Sequence, residues 1–190
     1  MREIILTDLH GCLDETQALL KQIDFCSTDI IVGLSDSVDK GPYSAELIKY
    51  FYSLPNEKYP ILGNHEFALL RFVRKYLAGG GQKNAAYEER KSIFEKLTSE
   101  EFEWIKTFKA WHPLKNTKSI VLHAGVKPSR VELPEQHFSA SNSRGANSEL
   151  FYTRYLDDTS SVFWADEYDG RFGHIYYGHQ PWKLDSVRIN

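Results

Sequence analysis

What this 190-residue sequence lacks narrows it before anything it contains. It has only two cysteines, Cys12 and Cys26, with no paired spacing of the zinc-ribbon or disulfide-framework kind. Neither a sulfur-bound zinc nor a disulfide scaffold is therefore expected, and a reduced, cytoplasmic setting is. No apolar run is long enough for a signal peptide or a membrane span, since the opening Ile4-Ile5-Leu6 meets Thr7 and Asp8 at once. Specialised secretion, which leaves no such mark, stays open. Neither sign of charge is in excess: 23 basic residues stand against 26 acidic ones, a net charge of -3, so nothing points to a nucleic acid polymer or a membrane surface as partner. A glycine-rich phosphate loop of Walker or Rossmann type is also missing, which argues against a regulatory nucleotide-binding module. There is no repeat of fixed period, and the length suits one domain over 1–190.

What is present is one arrangement used again and again: a short apolar run, then a turn holding Asp, His, Asn or Gly. It occurs at Ile4-Ile5-Leu6 before Thr7-Asp8-Leu9-His10-Gly11, at Ile30-Ile31-Val32 before Gly33 to Pro42, and at Tyr59-Pro60-Ile61-Leu62 before Gly63-Asn64-His65-Glu66. It returns at Ser119-Ile120-Val121-Leu122 before His123-Ala124-Gly125, and at His174-Ile175-Tyr176-Tyr177 before Gly178-His179. Such runs read as buried strands whose last residues face a common rim.

Helical spacing fills the gaps between the first three runs, with Leu19, Leu20 and Ile23 on one face of 14–23, and Leu47, Ile48, Phe51 and Leu54 on one face of 44–54. Strand, helix, strand implies parallel pairing in an α/β fold. The stretch 67–110 reads as a helical insert over the rim, and 131–158 as a long polar loop. The aromatic-rich stretch from Phe151 to Trp182 reads as core rather than as a base-stacking surface.

Taken singly, an Asp at a strand end is most often a turn former and a His a satisfied core residue. Asp8, His10, Asp36, Asn64, His123 and His179 nevertheless all fall at the ends of apolar runs, and parallel strands deliver such ends to one place. Carboxylate, amide oxygen and imidazole without thiolate suit Mn, Fe, Zn or Mg. Two such cations roughly 3.5 to 4 Å apart form the clamp used for in-line displacement at phosphorus.

With these residues in view, the chain resembles the calcineurin-like metallophosphoesterases, in the phosphoprotein-phosphatase branch that also holds symmetrical diadenosine tetraphosphatases. The resemblance runs through Asp8-Leu9-His10-Gly11, Ser35-Asp36-Ser37-Val38-Asp39-Lys40-Gly41-Pro42, Gly63-Asn64-His65-Glu66, His123-Ala124-Gly125 and Gly178-His179, five motifs in the family's order. It implies two packed mixed β-sheets flanked by helices and two divalent ions, manganese foremost, with iron, zinc or magnesium as alternatives. One ion would be held by Asp8, His10 and Asp36, the other by Asp36, Asn64, His123 and His179, with a hydroxide shared between them as nucleophile. His65 would be the general acid, oriented by Asp39, and Lys40 would bind a phosphate oxygen.

The chain departs from that family at several places. Thr7 and Ser35 stand where glycine is usual, Lys40 where arginine is, and Leu62 where eukaryotic protein phosphatases place a further arginine. Arg71, Arg74, Arg130, Arg144, Arg154 and Arg171 are the candidate substitutes, with Arg154 foremost. The chain also stops at Asn190, where the family runs on through another strand, which makes it either a minimal or a shortened version with an exposed sheet edge. The expected function is hydrolysis of a phosphoester by a serine/threonine protein phosphatase, favoured by Glu66 and the Asp39-bearing motif. Symmetrical bis(5'-nucleosyl)-tetraphosphatase activity is the alternative, and a metal-binding scaffold with poor catalysis the second. A phosphorylated protein or a dinucleoside polyphosphate is accordingly the expected partner.

Overall fold

The computed structural model describes residues 1–81, 84–115, 117–136, 148–157 and 159–181, and in it the apolar runs form two three-stranded sheets. The first contains β1 (Glu3–Thr7), β2 (Ile30–Ser35) and β3 (Lys58–Pro60), linked by α1 (Leu13–Gln22) and α2 (Ser44–Ser53). Both of its pairings are parallel, as the strand-helix-strand order predicts, so among the described residues only the other sheet is mixed in the way the resemblance implies. The connections account for this, because each link is a helix that crosses over the sheet and returns the chain in its starting direction. The second sheet is mixed as expected: β4 (Trp111–Pro113) runs antiparallel to β5 (Ser119–Leu122), which pairs parallel with β6 (His174–Tyr176).

β2 is buried along its whole length because both of its faces are covered. Ile30 and Val32 meet Ile61, Leu114 and Val121 between the two sheets, while Ile31 packs with Leu6, Leu20, Leu47 and Phe51 beneath α1 and α2. The alternation of side chains on a strand thus sorts one β-branched run into two cores. Leu34, at φ 60, leaves that alternation and joins the helix side, just where the β1–β2 register shifts.

The expected insert is three helices, α3 (Asn64–Leu77), α4 (Ala85–Lys96) and α5 (Ser99–Lys106), and it starts within the Gly-Asn-His-Glu motif itself. Asn84 caps α4 through the Tyr87 N–H, and Thr98 with Glu101 forms a reciprocal capping box on α5. Phe67, Leu69, Val73, Ile93, Phe102 and Ile105 pack these helices onto Ile120 and Leu122 of β5. Phe151, Phe163 and Trp164 are buried in the same cluster, as the reading of the aromatic stretch as core requires. The polar segment 131–158 is not wholly irregular, since α6 (Glu149–Tyr152) forms one turn within it. Ser139 to Ser143, Arg144, Gly145, Trp182 and the 187–190 end lie outside the described residues. No helix among the described residues is long and apolar enough to cross a membrane.

Candidate metal centre

The ends of β1, β2, β5 and β6 and the start of α3 meet at one rim, and the backbone there is bent in an unusual way. Nine non-glycine residues among those described have positive φ, and six of them are Asp8 (55°), His10 (44°), Asp36 (51°), Asp39 (66°), Lys40 (72°) and His179 (65°). Left-handed backbone costs an L-residue roughly 1–2 kcal/mol, so its concentration here needs support from the surroundings. Backbone bonds supply part of it, from the N–H groups of Asp8, His10 and Gly11 to the carbonyls of Ser35, Asp36 and Ser37, each 2.8 Å.

Glu66 supplies more of it, at the Asp36 turn. Its side chain is fully buried and accepts N–H groups from Ser37 (2.7 Å) and Val38 (3.2 Å) on one oxygen, and from Asp36 (2.8 Å) and Gly63 (3.1 Å) on the other. Burial and the Asp36 charge push this carboxyl up to about 8 against its N–H donors, yet all four groups that meet its oxygens are donors and none can accept a carboxyl hydrogen, so the contacts themselves favour the carboxylate. Glu66 therefore locks the Asp36 turn onto the start of α3, and it does not face a substrate. Gly63 is required in this packing, because a Cβ there would lie 2.2 Å from Asp36 Oδ1.

Above this turn, the atoms expected to bind metal converge. His123 Nε2 lies 2.9 Å from Asn64 Oδ1, 3.0 Å from His179 Nδ1 and 3.3 Å from Asp36 Oδ2. On the other side of the same Asp36 oxygen stand His10 Nε2 and His65 Nε2, each 3.9 Å away. Asp36 therefore belongs to two potential ligand groups, His10–Asp36–His65 and Asp36–His123–His179. Burial raises the Asp36 carboxyl, but the His123 bond and charge and the His65 N–H outweigh it and hold it at about 2. His179 is pushed down to about 4 by burial and by the neighbouring charges of His123 and Arg154, which keeps its ring neutral and its lone pair available. His10 Nδ1 meets the Val38 carbonyl at 3.1 Å, so the tautomer donating there leaves Nε2 as the ligand-type nitrogen. A carboxylate shared between two groups, an amide oxygen and neutral imidazoles are a donor set that fits two divalent ions.

Asp8 behaves differently from the other expected ligands. Both of its oxygens accept the His179 N–H at 3.0 Å, and the Thr7 hydroxyl donates to Oδ2 at 2.6 Å, so Asp8 adjoins the His179 side and is not within the His10–Asp36–His65 group. Gly178 allows this approach, since a Cβ would sit 1.9 Å from Asp8 Oδ2. The two departures from glycine touch one another, with the Thr7 and Ser35 hydroxyls 2.7 Å apart on register-paired residues.

His65 Nδ1 meets Asp39 Oδ2 at 2.8 Å, and its Nε2 faces the centre. The same Asp39 oxygen also accepts Arg90 Nη2 (2.7 Å) and Nε (3.2 Å) from α4. Burial raises the Asp39 carboxyl, and the His65 and Arg90 bonds bring it below its ordinary value. Next to Arg90, Glu89 accepts the backbone N–H of Lys40 at 2.9 Å, and Lys40 Nζ lies 2.9 Å from His10 Nε2. Glu89 and Arg90 were not among the residues expected at the site: they come from about fifty positions away, and nothing in their own helix marks them. Arg154 is at the rim, but its Nη2 donates to the His179 carbonyl at 2.6 Å and so braces the backbone. Arg130 and Arg171 are paired with Glu149 and Asp169, and Arg144 lies outside the described residues.

Known proteins resemble this chain along nearly its whole length. The family model of the calcineurin-like phosphoesterases matches residues 1–188. A Klebsiella pneumoniae protein named as a symmetrical bis(5'-nucleosyl)-tetraphosphatase is 32% identical over 175 residues, which is 90% of this chain and 60% of that relative. An Oceanobacillus iheyensis protein named as an asymmetrical one is 30% identical, over 95% of this chain and 78% of its own length. The chain thus spans less than two thirds of the Klebsiella relative. Among solved structures, a candidate diadenosine tetraphosphatase superposes with a TM-score of 0.70 at 22% identity, covering 93% of this chain and 74% of the other. A cold-active protein tyrosine phosphatase does so with 0.63 at 18%, covering 95% and 64%. At these identities the two structures establish the fold.

Proposed function

The chain belongs to the calcineurin-like phosphoesterases, and from that premise we propose that it hydrolyses bis(5'-nucleosyl) tetraphosphates symmetrically, using two divalent ions. The observation that carries the reading is the sharing of Asp36 between two groups of ligand-type atoms, His10–Asp36–His65 and Asp36–His123–His179; His65, a member of the first, is read as the proton donor because Asp39 holds its Nδ1. Dinucleotide substrates are favoured over phosphoproteins because relatives such as the Klebsiella protein are named for them. The case for a protein phosphatase rested partly on Glu66, which is buried and fully used by the backbone.

In this reading Asp36, Asn64, His123 and His179 would hold one ion, and His10 and Asp36 the other, with Asp8 as its third ligand only if the carboxylate turns from the His179 N–H towards His10. When bound, such a pair polarises the phosphoryl oxygens and activates a water. His65 holds the proton for the leaving oxygen on Nε2, and Asp39 fixes the ring through Nδ1. Lys40 supplies a point charge for a nonbridging oxygen, whereas Arg154, expected to bind substrate, braces the backbone of His179 instead. The His65–Asp39 bond, which a scaffold without catalysis has no use for, disfavours the scaffold reading.

The test is product analysis with manganese supplied. Diadenosine tetraphosphate should yield two ADP, and Asp36→Asn and His65→Asn should each lose about 10²-fold or more in rate. Release of phosphate from phosphopeptides with the dinucleotide untouched would overturn the proposal, and ATP plus AMP as products would overturn its symmetry.

A further inference from the structure

α3 begins at the catalytic end and runs away from it, and the face that starts with His65 continues through Ala68, Arg71, Phe72 and Lys75, at spacings of three, six, seven and ten residues. At 1.5 Å per residue, Arg71 lies about 9 Å and Lys75 about 15 Å along the axis from His65. This face does not simply meet solvent. With α4 it borders a cleft of about 280 Å³ lined by Arg71, Phe72, Lys75, Asn84, Tyr87 and Arg90 among others, near the lower end of small-molecule sites.

The lining has a definite chemistry. Three cations face the cleft, and among the described residues no carboxylate lines it. Arg90 is neutralised by Asp39, but neither Arg71 nor Lys75 has an ion pair among the described residues. The Phe72 and Tyr87 rings meet edge to face at 5.1 Å, and both are half-buried, so they offer an aromatic wall beside the charges. The cleft is tied to the metal centre through Arg90, which lines it and bonds the Asp39 that holds His65. Along α3 from His65 the order is Arg71, Phe72, Lys75, so cations stand on either side of a stacking ring, the partners that a nucleotide's phosphates and base require.

We infer that the α3–α4 cleft is the subsite for the leaving nucleoside diphosphate, with Arg71 and Lys75 on its phosphates and Phe72 and Tyr87 against its base. The inference rests on the dinucleotide reading above. It follows from the chemistry of the step, because the oxygen that takes the His65 proton is the one that departs with this half of the substrate.

The experiment compares the wild type with the double variant Arg71→Ala/Lys75→Ala, both loaded with manganese, by kinetics and by calorimetric binding of ADP. Both residues are exposed, so the fold should survive the change. The expected result is that kcat/KM for diadenosine tetraphosphate falls about tenfold or more relative to that for p-nitrophenyl phosphate, which is too short to enter the cleft, and that ADP binds about tenfold more weakly. A wild type that hydrolyses the dinucleotide, with a variant that matches it in relative kcat/KM and in ADP affinity, overturns the subsite and leaves the function standing. A wild type that leaves the dinucleotide intact, with ADP affinity still lost in the variant, overturns the function and supports a nucleotide site in the cleft.

Discussion

Glu66→Gln is the sharpest perturbation of the framework beneath the metal centre. Each carboxylate oxygen accepts two backbone N–H groups, so whichever way the amide turns, its NH2 must face two donors in place of an acceptor. Two charge-assisted bonds are lost, each worth about 1.5–3 kcal/mol, and two buried N–H groups remain unpaired. The expected destabilisation is about 4 kcal/mol. For a chain of this size, that corresponds to a fall in Tm of roughly 8–16 °C. Thermal and denaturant unfolding at pH 7 measure it directly. The opposite expectation is equally concrete. If burial and the Asp36 charge kept Glu66 protonated, glutamine would be its near isostere and the substitution would be almost neutral. A loss below about 1 kcal/mol would therefore refute the claim that four N–H groups hold Glu66 as a carboxylate.

Two further predictions concern other parts of the molecule. His112 on β4 is buried, stacks on Tyr59 at 3.9 Å, and has no partner for either ring nitrogen; burial and then the charges of Lys109 and Lys115 push it down to about 4. Between pH 6.5 and 4 the unfolded chain binds a proton that the folded ring refuses, so stability is lost as pH falls through that window and is fully present above it. The unfolding free energy of His112→Phe should gain about 2 kcal/mol on the wild type across this range, allowing for partial solvent screening, and parallel pH curves would defeat the idea. Gly178→Ala places a methyl group where Asp8 Oδ2 now lies, so the carboxylate must move. Manganese titration should show one site weakened roughly 10–100-fold, and unchanged binding at both sites would separate Asp8 from the centre.

The strand-end motifs were legible because their chemistry is local: a β-branched run, then a turn of Asp, His and Gly, repeats without help from distant residues. β4 was not legible, since Trp111–Pro113 is three residues long, ends in proline, and is placed by pairing with β5 rather than by any alternation of its own. Arg90 and Glu89 escaped for a related reason, since only the docking of α4 on the Asp39–Lys40 turn gives them a role. Glu66 was noticed but misjudged. A motif shows that a carboxylate is present, and only the surrounding N–H groups show that it points inward.

The contact between Thr7 and Ser35 is a one-sided dependence. Thr7 gives its single hydroxyl hydrogen to Asp8, so the hydrogen shared between the two side chains must come from Ser35. Thr7 is satisfied whether or not the serine is present. Ser35, only 2% exposed, would bury an unpaired hydroxyl without the threonine, a cost of about 1–3 kcal/mol. Replacing Ser35 by glycine should therefore be nearly free at Thr7, whereas replacing Thr7 by valine should strand the Ser35 hydroxyl and carry that cost.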